Sequence, residues 1–298
     1  MSAGSACDVC VLGHVTRDVI RDGSGAARTQ AGGAAYYGAA ALARLGLRVG
    51  LVTKLAAGDE GLLRELRRLG VAVAVKNSAA TTVFEAVRSE NPEHRQYRAL
   101  SVADPFAPSD LDGLHARAIL MDPLTTHDGF AALMEKAAAV APVIALDIQG
   151  FVRKFLIPGV PEKAVAAALA GLSHVTIVKA DASEAAAIAG IVEPAAAARA
   201  LARFGPREVI VTSGSKGSLV WAEGALAEIP AFAPKRMVDA TGAGDSYLAG
   251  YVAARLEGHD PPQAARFGAA VASIKVGRSG AFAGTREDVA AVLARNGA

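Results

Sequence analysis

Short apolar, β-branched runs alternate with alanine-rich stretches along most of this chain, and that alternation limits the possible folds more than any other feature. Runs at 49–53, 143–147, 175–179 and 209–212 read as strands, and 118–121 is similar but less branched. Between them, 35–45, 61–69, 129–140, 162–172 and 195–204 read as helices. Strands that are apolar throughout are buried on both faces, as in a parallel sheet covered by helices. The expected fold is therefore α/β: a three-layer α/β/α sandwich around a mainly parallel sheet. The 298 residues suffice for one large domain with an appendage. No internal repeat or low-complexity linker divides them, so 1–298 is expected to be a single domain.

Two segments break the rhythm. Residues 22–30 are short, polar and glycine-containing, and 81–100 read as a hairpin with its turn at 89–93. Neither carries a helix, so the two are expected to pair as a small antiparallel sheet standing off the main one. In an open α/β fold, ligands bind beyond the carboxyl ends of the strands. A small sheet there acts as a lid that excludes water. Asp122, Asp147, Asp181 and Thr212 each fall at or just past the end of a predicted parallel strand. Four polar residues at one edge of an apolar sheet point to a shared crevice; the alternative is that each caps the helix that follows.

The segment 238–246, Val-Asp-Ala-Thr-Gly-Ala-Gly-Asp-Ser, runs into a helical spacing at Leu248, Tyr251, Val252 and Leu256. Gly242, Ala243 and Gly244 then lie at the first turn, where backbone N–H groups lack intrahelical partners and the helix dipole favours an anion. Small residues let that anion approach closely. A carboxylate at Asp245 repels a resting phosphate, but it has a use if it takes a proton from a hydroxyl that attacks the phosphorus. The pattern points to phosphoryl transfer to an alcohol. The plainer alternative is a helix cap and a tight turn.

Composition excludes several classes. Hydrophobic residues are 52% and charged residues 20% of the chain, which argues against disorder. A net charge of +2 gives no long-range attraction for nucleic acid or membrane. Arg64, Arg67 and Arg68, the densest basic group, are expected on the solvated face of a helix. No apolar run reaches the ~18 residues of a membrane span, and the first basic side chain is Arg17, so a cytoplasmic enzyme is expected. Cys7 and Cys10 form a C-x-x-C on the first predicted strand, where residues three apart point to opposite faces, so both are expected to be inert core residues. There is no G-x-x-x-x-G-K-[ST], and no G-x-G-x-x-G follows the first strand, which argues against a dinucleotide-dependent oxidoreductase. The six histidines give no metal spacing.

The ordered pattern Asp239-x-Thr241-Gly242-Ala243-Gly244-Asp245 resembles the carboxy-terminal signature of the ribokinase-like (PfkB) carbohydrate kinases, D-T/A-x-G-A-G-D. The resemblance extends over nearly the whole chain. It implies a ribokinase-like fold and an ATP- and magnesium-dependent kinase with Asp245 as the base and Gly242, Ala243 and Gly244 around the transferred group. It also implies that Asp18, and the pair Gly32-Gly33, bind the acceptor. The family often has Asn four residues after the second glycine; Tyr37 stands there, which argues against an ordinary furanose. Asp181-x-x-Glu184 matches the family's N-x-x-E, implying that Asp181 and Glu184 hold magnesium through water. Thr212, Gly214 and Gly217 match the T-x-G-x-x-G loop on the ATP phosphates, with Lys216 expected in solvent and Lys179 grouped with the donor residues. Residues 272–280 match the region covering the adenine. Asp239 and Thr241 correspond to positions that often line a potassium site. A homodimer is compatible with the resemblance.

A narrower resemblance concerns the acceptor. Residues 13–19 (Gly-His-Val-Thr-Arg-Asp-Val), 103–106 (Ala-Asp-Pro-Phe) and 147–153 (Asp-Ile-Gln-Gly-Phe-Val-Arg) are similar to the myo-inositol kinase branch. An amide both donates and accepts, so Gln149 suits a ring of hydroxyls, with Asp147 or Arg153 holding it. The alternative is that these residues stabilise their loop. The expected acceptor is a small polyol, first myo-inositol or a related cyclitol. The rivals are a nucleoside or sugar acceptor, or a sugar-binding sensor without catalysis. His14 is assigned no catalytic role.

Overall fold

Two sheets of different character organise the chain, for which a computed structural model describes residues 7–21, 27–87, 96–152 and 169–297. In chain order the strands are β1 (Cys7–Leu12), β2 (Thr16–Arg21), β3 (Ala27–Gly32), β4 (Val49–Leu55), β5 (Ala72–Asn77), β6 (Val83–Val87) and β7 (Gln96–Ser101). They continue with β8 (Ala116–Met121), β9 (Val143–Asp147), β10 (Ile177–Asp181), β11 (Glu208–Thr212), β12 (Ser218–Ala222) and β13 (Ala225–Ile229). The larger sheet has the order β13-β12-β11-β10-β9-β8-β1-β4-β5. It is parallel from β5 to β11, with Val11 of β1 beside Leu51 on one side and Leu120 on the other. The edge pair β12–β13 is antiparallel.

Helices cover both faces. Along β1, Val9 and Val11 enter one core layer with the helices Ala34–Arg44, Ala243–Leu256, Pro261–Val276 and Arg286–Arg295. Cys10 and Leu12 enter the other layer, with Met134–Val140, Ala182–Ala189 and Pro194–Ala202. This is the alternation a strand imposes. Each fully buried Val, Leu or Ile contributes about 1.5–3 kcal/mol. Cys7 departs from the opposite-face expectation by joining the layer of Cys10. It is the first residue of β1, where the ladder only begins, with a long Cys7 N–H bond of 3.4 Å to the His115 carbonyl. Both thiols are free and buried. Small residues bring two central helices together: a Cβ on Gly250 would lie 3.1 Å from the Cα of Gly268.

The expected strands appear, with ends shifted by up to two residues; 143–147 needs no shift. The pattern missed β5, whose Ala-Val-Ala-Val sequence is half exposed at the sheet edge, and the hairpin β12–β13. That hairpin turns on Glu223 and Gly224, both at positive φ, the mark of a two-residue primed turn. The expected helix 61–69 is split into a 3-10 turn, Asp59–Leu63, and a short helix, Arg64–Arg68, with its arginines exposed. Most of the expected helix 162–172 lies outside the described residues, which resume at 169 and form a 3-10 turn at Gly171–His174.

The small sheet has the order β3-β2-β6-β7. It is mixed, not antiparallel as expected: β2 pairs β6 in parallel, while β2–β3 and β6–β7 are antiparallel. The difference arises because β2 precedes 22–30 and is a strand of its own. Parts of the expected lid, 22–26 and 88–95, including the turn 89–93, lie outside the described residues. Among the described residues, no single helix is long and apolar enough to cross a membrane.

Candidate functional site

The parallel strands β8, β9, β10 and β11 are neighbours, so their carboxyl ends bring together Asp122, Asp147, Asp181 and Thr212. Opposite them the helix Ala243–Leu256 begins, with Gly242 as its N-cap in the left-handed region at φ 77° and Asp245 in its first turn. Gly242 is confined on its other side by the ring of Tyr37, into which a Cβ would collide. A side chain at 242 therefore meets both backbone strain and a buried aromatic floor. Gly244 is equally confined: a Cβ there would lie 2.8 Å from Nζ of Lys179.

Lys179 projects from the middle of β10 and is buried beneath that turn. Its Nζ donates to Oδ2 of Asp147 at 2.7 Å. Burial alone lowers the pKa of this lysine, but the charges of Asp147, Glu184 and Asp245 outweigh it and hold the ammonium well above its ordinary value. Breaking such a buried pair typically costs about 3–5 kcal/mol. The other oxygen of Asp147 accepts the Gln149 backbone N–H at 3.0 Å. Asp147 thus fixes the backbone of the short helix Gln149–Val152, not the amide side chain as the sequence reading allowed. Gln149 is buried, and Gly150 packs on the Pro123 backbone. Arg153, the other expected partner of Gln149, lies outside the described residues.

Asp181 and Glu184 form a reciprocal cap. The Asp181 carboxylate accepts the Glu184 N–H at 2.8 Å, and Glu184 Oε2 accepts the Asp181 N–H at 2.7 Å. These two bonds engage one oxygen of each carboxylate. Burial, then the negative charge of Asp147, pushes the Glu184 carboxyl up to about 7. Asp122 is more extreme. It is buried one residue past β8, with no hydrogen-bond partner for either oxygen among the described residues. Burial first, then the charges of Asp245 and Asp147, raise it well above the usual carboxylate range. Among the described residues, carboxyl groups therefore outnumber the ammonium of Lys179 at this edge.

The loop after β11 makes a 3-10 turn, Gly214–Lys216, closed by the Ser213 N–H on the Gly217 carbonyl at 2.8 Å. Gly217 has φ 95° and lies against the Ile229 carbonyl, leaving no room for a side chain. Thr212 donates to the Ala180 carbonyl at 3.3 Å, and Lys216 is exposed. Residues 272–280 span the end of the helix Pro261–Val276 and the turn after it. The Val276 carbonyl accepts the N–H groups of Val238 and Asp239, joining this region to the chain that enters Gly242. Thr241 N–H bonds Oδ1 of Asp239 at 3.0 Å.

At the small sheet, Asp18 of β2 is buried, and Thr16 Oγ1 donates to its Oδ1 at 2.7 Å. Burial raises its pKa, and the Thr16 bond opposes the shift. In the β2–β3 register Thr16 stands opposite Gly32, whose missing side chain leaves the space that the Asp18 carboxylate fills. Gly33, at φ 91°, turns the chain from β3 into the helix Ala34–Arg44 and packs on the His14 carbonyl. His14 is wholly buried, stacks on Phe106 at 4.6 Å and meets the Asp104 carbonyl at 3.1 Å. The segments 13–19 and 103–106 therefore meet in one wall. Sequence reasoning missed Tyr37 as the floor under Gly242. It also missed Lys275, buried at the end of its helix, where a lysine four residues after Val271 on an apolar face was the available signal.

The family model for pfkB family carbohydrate kinases matches residues 7–288. A nucleoside kinase of Methanocaldococcus jannaschii is 43% identical over 72 residues, 24% of this chain, and the match spans only 24% of that protein's length. The inositol 3-kinase of Arabidopsis thaliana is 28% identical over 279 residues, covering 90% of this chain and 73% of that protein. Among solved structures, a pyrophosphate-dependent kinase in the ribokinase family, complexed with a pyrophosphate analog and myo-inositol, has a TM-score of 0.82. It is 27% identical, with 95% of this chain and 99% of that one covered.

Proposed function

The chain belongs to the pfkB family of carbohydrate kinases, and from that premise we propose that it transfers the terminal phosphoryl group of ATP to a hydroxyl of a small polyol, with myo-inositol or a related cyclitol as the first choice. The observation that carries this reading is the position of Asp245: a carboxylate in the first turn of a helix whose N-cap, Gly242, is held open by its φ and by the Tyr37 ring. An anion site tolerates such a carboxylate when it serves as a base for the attacking alcohol.

In this reading the acceptor hydroxyl gives its proton to Asp245 as its oxygen forms a bond to the γ-phosphorus and the bond to the ADP oxygen breaks. The N–H groups of Gly242, Ala243 and Gly244 stabilise charge developing on the transferred group. Lys179 supports the turn from beneath and adds fixed positive charge. Thr212, Gly214 and Gly217 line the donor phosphates. Asp18, Gly32, Gly33, Asp147 and Gln149 orient the acceptor, and the small sheet closes over it as a lid. Asp181 and Glu184 would hold a magnesium ion through its waters, where it neutralises charge on the donor phosphates. The surplus of carboxyl groups fits a cation, and one or two carboxylates with waters is the usual magnesium arrangement.

The cyclitol choice is supported by the similarity to the inositol 3-kinase and to the structure holding myo-inositol. The 43% match to a nucleoside kinase covers a quarter of either chain and keeps a nucleoside acceptor as the rival. The pyrophosphate-dependent relative makes pyrophosphate the alternative donor. A non-catalytic sensor has no use for Asp245. Phosphorylated product measured against a panel of cyclitols, hexoses and nucleosides, with ATP and with pyrophosphate, tests the reading. Highest kcat/KM on a cyclitol with ATP is expected. Faster phosphorylation of a nucleoside overturns the acceptor, faster transfer from pyrophosphate overturns the donor, and no transfer to any acceptor overturns the kinase reading.

A further inference from the structure

Asp239 and Thr241, the residues that the resemblance links to potassium, do not form a cage with room for that ion. The space beside Asp239 is filled by Lys275. Its Nζ donates to the Asp239 carbonyl at 2.9 Å and to the Arg278 carbonyl at 3.4 Å, and lies 3.8 Å from Oδ2 of Asp239. Only 1% of the lysine is exposed. Two neutral carbonyls and one carboxylate are hard oxygen donors of the kind that hold a metal cation. Here the same charge is delivered by an ammonium on a covalent stem.

The place of this ammonium gives it a task. Oδ1 of Asp239 accepts the Thr241 N–H, two residues before the helix Ala243–Leu256 begins. The Val276 carbonyl, next to Lys275, accepts the N–H groups of Val238 and Asp239 at 2.8 and 3.1 Å. The end of the helix Pro261–Val276 therefore grips the segment leading into Gly242 by two backbone bonds and one cation. We propose that Lys275 is a tethered monovalent cation, which fixes the Asp239–Gly242 turn and makes the protein independent of potassium. It is a positioning residue: it acts on the anion-binding turn through Asp239 and touches no reacting atom.

The activity arm of the test rests on the kinase reading; the stability arm needs no substrate. Thermal unfolding and turnover are measured for the full chain and for Lys275→Ala, in potassium chloride and in tetramethylammonium chloride at equal ionic strength. For the unmodified protein the two salts should give midpoints within about 1 °C, because no site binds the ion preferentially to the folded state. Its turnover should agree within about twofold, since the turn is already fixed. In tetramethylammonium, Lys275→Ala should lose about 10- to 100-fold in kcat, the usual cost of a small misplacement of the reacting geometry. Potassium should restore about tenfold of that loss and raise the variant's midpoint by a few degrees, by binding the vacated oxygens. Lys275→Met, which keeps the aliphatic stem, replaces the alanine variant if that does not fold. A potassium requirement in the unmodified protein overturns the proposal. So does a folded variant that keeps full turnover without potassium, or one whose midpoint and kcat ignore potassium. If no salt gives turnover while the midpoints follow the expected pattern, the kinase reading fails and the tethered cation stands.

Discussion

The carboxylates beyond β9 and β10 are held by backbone N–H groups within two or three residues of themselves, whereas Asp18 on β2 is held by the geometry of a second sheet. Asp147 bonds the Gln149 N–H, and Asp181 bonds the Glu184 N–H. Asp18 instead bonds Thr16 two residues back, and fits only because β3 places Gly32 beside it. The first region is a set of local caps that would form in many α/β proteins. The second depends on strand register, and a one-residue slip would remove it. Under the proposed function the two regions take different shares of the work. The capped edge, crowded with charge, would serve the donor phosphates at Asp181 and Glu184, the transfer itself, and one side of the acceptor at Asp147 and Gln149. The small sheet would serve the other side of the acceptor through Asp18 and supply the closing motion.

The largest effect short of removing the base is expected at the Gly242 turn. Gly242→Ala forces a Cβ into the Tyr37 ring at a φ of 77°. The left-handed strain alone costs about 1–2 kcal/mol, measurable by denaturant unfolding. Displacing the N–H groups should lower kcat about 100-fold. Wild-type kcat in a folded Gly242→Ala protein would dissolve the link between turn geometry and transfer.

Gln149→Ala sharpens the comparison on the acceptor side. Losing one buried hydrogen-bond partner costs about 1–3 kcal/mol, so kcat/KM for myo-inositol should fall roughly 5- to 150-fold. Acceptor-free ATP hydrolysis should hold steady. Equal loss of both activities would mean that Gln149 supports its loop and nothing more.

Closing of the small sheet is the next effect in size. With acceptor and a non-hydrolysable ATP analogue each near ten times Kd, amide exchange in β2, β3, β6 and β7 should slow about tenfold. Unchanged exchange there at saturation would remove the lid from the mechanism.

The smallest effect concerns Asp122, whose raised pKa reflects burial and then its acidic neighbours. A carboxyl raised in the folded state leaves stability intact below its unfolded pKa of about 3.9 and takes it away as pH rises toward the folded value. Asp122→Asn carries no such loss. Its unfolding midpoint should therefore gain on the wild type by a few degrees as pH rises above about 4. A gap that stays constant as pH rises would mean that folding does not raise the Asp122 carboxyl.

The two regions also differ in how far a sequence reveals them. Strand ends are local signals, so Asp147 and Asp181 could be marked from the strand pattern, while Glu184 came only from the family resemblance; 143–147 matches β9 without a shift. The Gly242–Asp245 turn was legible for the same reason: its conformation is written in consecutive small residues. The small sheet was half legible. Its hairpin could be recognised, but β2 joins it in parallel across more than sixty residues, and no local pattern encodes that pairing. Tyr37 under Gly242 and Lys275 beside Asp239 are contacts between distant segments, and only the packed chain brings them together.

The most direct test of the central claim is donor binding and turnover measured on one preparation of Asp245→Asn. The account predicts that calorimetric affinity for ATP stays within a few-fold while kcat falls by about 10²–10⁴, the span expected for loss of a general base. Near-normal turnover, or a loss of affinity that accounts for the whole loss of activity, would contradict it.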